Sequence, residues 1–243
     1  MIKALQFHRI TPDLQAGGTW NTPGQFAAFL ESCRNHGIRF ILPGDAGDGI
    51  VLTFDDADQS VYDHAFPLLQ EFSVPAIVFI VAGYIGRESR WDLSLTGRSG
   101  KHLGWPEILA MYKSGIRFGS HGLTHRNLTR LNDVELETEL AGSKRILEEQ
   151  LGTVDSISYP FNRCDCRVMT AVKHAGYRWG FGGDGSHELA IKKEAVYITD
   201  TAATLRVKIS ERPRLWYQYE RIKQTIINGF TIATMLKQEW MKR

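Results

Sequence analysis

Apolar residues along this chain gather in short runs punctuated by Gly, Pro and Asp. Residues 4–7, 38–42, 50–54 and 76–81 are such runs, and their length and boundaries predict buried β-strands. Between and after them, apolar positions recur every three or four residues. Residues 22–35 place Phe26, Phe29, Leu30 and Cys33 on one face of a helix, and helices are predicted likewise over 60–72, 105–113, 133–151 and 167–174. Further short strands are predicted at 116–118, 156–159, 177–181 and 195–198. Strands that alternate with amphipathic helices of this length make a parallel sheet, open or closed as a barrel, with the helices packed outside. In such folds the working residues sit at the carboxyl ends of strands.

Composition narrows the class. The chain has 243 residues, 43% hydrophobic and 23% charged, which excludes a disordered, collagen-like or coiled-coil protein. A chain of this size buries roughly 75% of its unfolded surface, so its core needs no metal or disulfide staple, and any metal is functional first. Cys33, Cys164 and Cys166 are too few, and odd in number, for a secreted disulfide framework, which favours a reducing compartment. The opening segment lacks a basic region followed by an apolar run and a cleavage site, so no signal peptide is read. No run approaches the ~20 apolar residues that span a bilayer, and a soluble, cytoplasmic protein is expected.

Lys and Arg total 29 against 27 Asp and Glu, a net charge of +2, and no basic surface large enough for nucleic acid is foreseen. The balance is uneven. Residues 211–243 hold seven basic and three acidic side chains, +4, leaving −2 for the remainder. Ile222, Ile226 and Phe230 share a helical stripe there, with Trp216, Tyr217 and Tyr219 upstream. Two readings stay open: a peripheral contact with a membrane or partner, and a terminal helix packed on the domain with a solvated basic face. The interruption at Asn228 and Gly229 weighs toward the second. The expected division is a domain over 1–210 and a basic helical extension over 211–243, with the oligomeric state undetermined. The loop over 83–102 is either an insertion above a site or a surface excursion.

Candidate chemistry sits at two strand ends. Thr53-Phe54-Asp55-Asp56 follows the run at 50–54. Successive side chains in extended structure point opposite ways, so Asp55 and Asp56 have different tasks, and two adjacent anions call for a cation; the plainer reading is a turn or a helix cap. Gly119-Ser120-His121-Gly122-Leu123-Thr124-His125 follows the strand at 116–118. On a helical turn its two histidines share a face and converge on a zinc-like ion. Two histidines and one carboxylate leave a coordination position open for water, the arrangement of a hydrolytic rather than a structural metal.

These motifs, in this order, resemble the polysaccharide deacetylases of carbohydrate esterase family 4, the NodB-homology domain. Thr53 to Ala57 is similar to the family's TFDDG, Ser120 to His125 to its metal-binding histidine motif, and Ser158-Tyr159-Pro160-Phe161 to its third motif, with likeness extending over roughly residues 1–205. The resemblance implies a distorted (β/α)7-type barrel. It implies Asp55 as general base, Asp56, His121 and His125 as ligands of a divalent metal (Zn2+ first, Ni2+ or Co2+ as alternatives), and Phe161 as backbone donor to an oxyanion. Tyr159, Pro160 and Asn162 are carried over as substrate-binding positions. The activity implied is removal of an N-acetyl group from an amino sugar in a cell-surface polysaccharide or its precursor. The alternatives are a weak or inactive carbohydrate-binding protein of the same fold, and an amide hydrolase acting on a lipid-linked or small-molecule sugar.

The chain departs from the pattern in places. No histidine follows His187, where ordinary members carry their acid. Phe7-His8-Arg9-Ile10 resembles the N-terminal motif of members with a permuted strand order, which makes His8 the acid. Ser158 stands where many members have an arginine that orients the base, with Arg163 or Arg167 as the candidates to replace it. Ala57 and Asn162 replace glycines; Asn tolerates positive φ, whereas Ala57 requires an ordinary backbone. The glycines at 180–185 formally fit GxGxxG, yet no βαβ unit follows, and no dinucleotide site is read. Cys164 and Cys166 are read as loop residues, and His36, His64, His102 and His174 as needing no function.

Overall fold

The computed structural model describes residues 3–15, 18–89 and 100–209. The extension at 211–243, with its proposed membrane or partner contact, lies outside the described residues, as do residues 90–99 of the 83–102 loop. Seven parallel strands form the central sheet: β1 (Lys3–Phe7), β4 (Ile50–Phe54), β5 (Ile77–Ile80), β6 (Arg117–Ser120), β7 (Ser156–Ser158), β8 (Trp179–Phe181) and β9 (Lys193–Ala195). Two short strands, β2 (Arg9–Ile10) and β3 (Trp20–Asn21), pair beside it. The strand order β8-β7-β6-β5-β4-β1-β9 runs round a ring, and a parallel bridge between Phe181 and Ile191 ties its two ends. The expected barrel is therefore nearly closed.

The period-two alternation sorts each strand between two cores. Leu5, Phe7, Ile50, Leu52, Phe54, Val78, Ile80 and Ile157 face the helices and share the larger core. Ala4, Val51, Ile77, Phe79, Trp179, Phe181 and Ile191 fill the barrel interior. Gly119 belongs to this inner face, where a Cβ would lie 2.5 Å from the Phe79 ring, so only glycine leaves room for that ring. The same parity carries Gln6, Thr53 and Ser158 inward, toward one mouth of the barrel.

Helices form where the periodicity places them. In α1 (Pro23–Asn35), Thr22 and Gln25 form a capping box, and Phe26, Phe29, Leu30 and Cys33 are buried. α3 (Trp105–Lys113) and α4 (Asp133–Leu151) match their predicted bounds, and α5 (Cys166–His174) begins one residue early, capped by Asp165. The helix expected over 60–72 is broken. Val61–Ala65 is a π-turn and α2 (Phe66–Glu71) follows, because Pro67 lacks an N–H and cannot continue a regular ladder.

Two strand predictions change. Residues 38–42 contribute only a bridge from Phe40 to Ile50, since β1 and β5 occupy both edges of β4 beyond that point. The strand expected at 195–198 lies at Lys193–Ala195 instead, and this shift brings a lysine into the barrel. α6 (Ala202–Ile209) closes the described chain against α1, held by Lys208, whose Nζ lies 2.6 Å from buried Asp200. Among the described residues no helix is long and apolar enough to cross a membrane.

Candidate active site

At the carboxyl end of β4 the backbone leaves extended geometry at once: Asp56 has φ 69° and Ala57 φ 51°. The expectation of an ordinary backbone at Ala57 is thus corrected. Two contacts hold the strained turn. The Leu103 N–H donates to the Ala57 carbonyl at 2.8 Å, and His102 Nδ1 donates to the Asp56 carbonyl at 2.7 Å. His102, read as needing no function, is a brace for the Asp55–Asp56 turn.

The histidine loop after β6 is not helical, so the helical-turn rationale for His121 and His125 is also corrected. The loop doubles back through Gly122 at φ 80° and His125 at φ 58°, bringing the two imidazole centroids to 4.8 Å. Glu139, 3% exposed and on α4, clamps it. One of its oxygens accepts from the backbone N–H groups of Leu123 and Thr124 at 2.8 and 2.9 Å, and the other from the Thr124 hydroxyl. A Cβ on Gly122 would come within 3.1 Å of that carboxylate, a second reason for glycine there.

The ligand atoms of Asp56, His121 and His125 lie within 4.8 Å of one another. His121 Nε2 and His125 Nε2 stand 3.6 and 3.4 Å from Asp56 Oδ1. Ligands around a tetrahedral ion with bonds of 2.0–2.1 Å stand about 3.3 Å apart, close to these separations. The His121 tautomer follows from its surroundings: Nδ1 lies 2.7 Å from the Ser158 carbonyl, which can only accept, so Nε2 turns a lone pair toward Asp56. Burial pushes His121 down to about 4, against the pull of Asp55, and burial, then His121, drives His125 well below its ordinary value. Both imidazoles are therefore neutral at pH 7, and three acceptor atoms facing one another fit a divalent cation.

Asp55 is 1% exposed beside this group. Its Oδ2 accepts from Lys193 Nζ at 2.6 Å, Gln6 Nε2 at 2.7 Å and Ser158 Oγ at 2.9 Å. Its Oδ1 is buried and has no hydrogen-bond partner among the described residues. Burial alone would raise this carboxyl. The Lys193 ammonium, with smaller help from His121 and His8, outweighs that and holds it well below the usual carboxylate range. Burial in turn pushes the Lys193 ammonium down, opposed by Asp55. Gln6 Nε2 also lies 3.3 Å from His8 Nε2, so one amide touches both candidate base and candidate acid, and Asn162 Nδ2 donates to Gln6 Oε1 at 3.1 Å.

The third motif divides. Phe161, at φ 61°, packs its ring 4.9 Å from the His125 ring, and Asn162, at φ 53°, is exposed at the mouth. Two consecutive left-handed residues, one of them a bulky aromatic, mark the strained backbone that collects at functional sites. Tyr159 is fully buried in the outer core with its hydroxyl donated to the Leu189 carbonyl at 2.7 Å, so no substrate contact is open to that side chain. Pro160 is buried too, with its ring about the Gly122 turn. Neither arginine reaches Asp55: Arg163 is exposed, and Arg167 is held by Asp133 and the carbonyls of Leu128 and Leu131. The cation that does contact Asp55 is Lys193, unforeseen because its charged neighbours make the segment read as surface. Gln6 had a signal, a polar residue in an apolar strand two positions before His8.

A parallel barrel with paired aspartates and two histidines at its carboxyl mouth defines a hydrolase class that agrees with the motif resemblance. The chain belongs to the polysaccharide deacetylase family, which it matches over residues 44–180. A poly-beta-1,6-N-acetyl-D-glucosamine N-deacetylase of Staphylococcus aureus is 27% identical over 140 residues, 54% of this chain and 46% of the relative. The chain thus spans about half the length of that curated relative. The Streptococcus pyogenes deacetylase PplD, solved with acetate, superposes with a TM-score of 0.74 at 20% identity, covering 86% of this chain and 98% of that one. A Bacillus cereus polysaccharide deacetylase gives 0.72 at 24%, covering 86% and 69%. At these identities the structural likeness establishes the fold. The matched region contains Asp55, Asp56, His121 and His125, whereas Gln6, His8 and Lys193 fall outside it.

Proposed function

We propose that this protein is a metal-dependent N-deacetylase acting on an N-acetylated amino sugar within a polysaccharide or its precursor. The observation that carries the reading is the meeting of three acceptor atoms, from Asp56, His121 and His125, beside a buried carboxylate with one unpartnered oxygen. Asp56, His121 and His125 would hold the cation, Zn2+ before Ni2+ or Co2+. When bound, such a cation lowers the pKa of water toward about 7 and polarises a carbonyl oxygen.

The chain's own residues supply the proton traffic. Asp55, through Oδ1, takes the proton of the attacking water; Oδ2 is saturated by its three donors. His8, at the end of β1 on the same inward face as Gln6, protonates the departing amine and acetate leaves. The Phe161 backbone N–H is the candidate oxyanion donor, a contribution of about 2.7–4 kcal/mol where such donors have been removed. Buried Tyr159 and Pro160 support this turn from behind, and Asn162 is the third-motif side chain exposed to a sugar. The altered third motif is the motive for a non-catalytic reading, and a lysine on the base weakens that motive.

The test is acetate release by zinc-loaded protein from N-acetylated oligosaccharides, nucleotide sugars and lipid-linked sugars. Turnover on an oligosaccharide supports the reading, and turnover confined to lipid-linked sugars would move the substrate to a precursor. Undiminished release after metal removal, or no release from any of the three, overturns it.

A further inference from the structure

The cation that meets Asp55 comes from β9. Lys193 enters on β9, opposite Ala4 of β1, and its side chain is 0% exposed. Its Nζ meets two partners, Asp55 Oδ2 and Ser158 Oγ, each at 2.6 Å, and stands 6.0 Å above the Phe79 ring. A buried ammonium is unfavourable unless paired, and an apolar side chain would fill this interior more cheaply, so the pair is poorly explained by stability alone.

The residues around it explain one another. The small Ser158 side chain leaves the space that Lys193 fills, and an arginine at 158 together with Lys193 would press two cations on one oxygen. The serine in the third motif and the lysine on β9 are thus a linked pair of departures. A cation beside a carboxylate weakens it as a base, so any gain from Lys193 must come from placement. Three donors converge on Oδ2, more than its two in-plane lone pairs, which fixes the carboxylate plane and leaves Oδ1 as the oxygen able to accept a proton.

We propose that Lys193 is the positioning residue of Asp55, holding Oδ2 so that Oδ1 faces the reacting water, in place of the arginine that the third motif lacks. This rests on the deacetylase reading. The test compares the zinc-loaded full chain with K193M and with the double variant K193A/S158R, which moves the cation to the third motif. K193M keeps one zinc per chain and a KM within about threefold, while kcat falls about 100-fold, the scale of a misplaced reacting group. The double variant regains at least tenfold over K193M. A folded, zinc-loaded K193M with kcat within threefold of wild type overturns the proposal, as does a folded, zinc-loaded double variant no faster than K193M. If K193M does not fold, the double variant decides alone: at least a tenth of wild-type kcat supports the proposal, and less, or failure to fold, overturns it. If the wild type itself releases no acetate, the deacetylase reading falls, and crystal structures of the variants decide positioning. An Asp55 carboxylate displaced by more than about 1 Å in K193M supports it, and an unmoved one overturns it.

Discussion

Glu139 makes a sharp prediction because it touches no reacting group. Its carboxylate accepts two backbone N–H groups and a hydroxyl from the histidine loop, and is buried on a 19-residue helix. Glu139→Ala removes every acceptor and orphans the Leu123 and Thr124 donors. Hydrogen bonds to a charged group contribute about 1.5–3 kcal/mol each and are not additive, so a loss of about 4 kcal/mol is expected. At about 2–4 °C per kcal/mol for a domain of this size, that lowers Tm by roughly 8–16 °C. Glu139→Gln keeps a carbonyl oxygen for the two N–H groups, loses the charge and turns the other oxygen into an NH2 that must donate to the Thr124 hydroxyl instead of accepting from it, so about 1 kcal/mol is expected. The loop carries both histidines, and loosening such a support typically weakens metal binding 10–100-fold. Thermal melts of the metal-free variants, with zinc affinity measured against a competing chelator dye, read both effects. If Glu139→Ala melts within 3 °C of wild type and binds zinc equally tightly, the clamp argument is wrong.

Other consequences follow from the same site. Asp55→Asn, which keeps the shape and loses the base, is expected to slow acetate release about 10²–10⁴-fold while zinc content, measured by elemental analysis, stays at one per chain. Removing metal with a chelator should abolish release and lower Tm, and re-adding zinc at about 100 times its Kd should restore about 2.7 kcal/mol of stability; a melt indifferent to zinc would contradict the three-ligand site. In the metal-free protein, His121 is neutral when folded down to about pH 4 but protonates near 6.5 when unfolded, so its contribution is present above 6.5 and lost as pH falls toward 4. Asp55, held below the usual range, adds a second loss as pH drops below about 3.9. Urea denaturation at pH 7, 5 and 4 should therefore show falling stability across the first interval, and a flat profile would refute neutral burial of His121.

What could be read from the sequence follows from how local each signal is. α3 and α4 lie where their periodicity and caps predict, and Ile50–Phe54 has its predicted bounds, because these choices are made within a few residues. The pairing of Asp56 with His121 and His125 was legible through motif order at strand ends. Lys193 was not: nothing adjacent marks a lysine as interior, and its burial depends on Asp55, 138 positions away. His102 escaped notice for a similar reason, since its partner is a backbone carbonyl rather than another motif residue. The helical expectation for the histidine loop failed because Glu139 offers its amides a carboxylate in place of helical carbonyls.

The ring order has a consequence for how the protein is made. β1 sits between β4 and β9, so among the described residues the earliest strand is a neighbour of the latest. While the nascent chain emerges, Asp55 and the paired histidines can be brought together, yet the ammonium that neutralises Asp55 is still inside the ribosome. A buried carboxylate without its cation is costly, so before residue 193 arrives a hydrated Asp55 is the favoured state. Closing the ring and placing a cation on Asp55 are therefore one event.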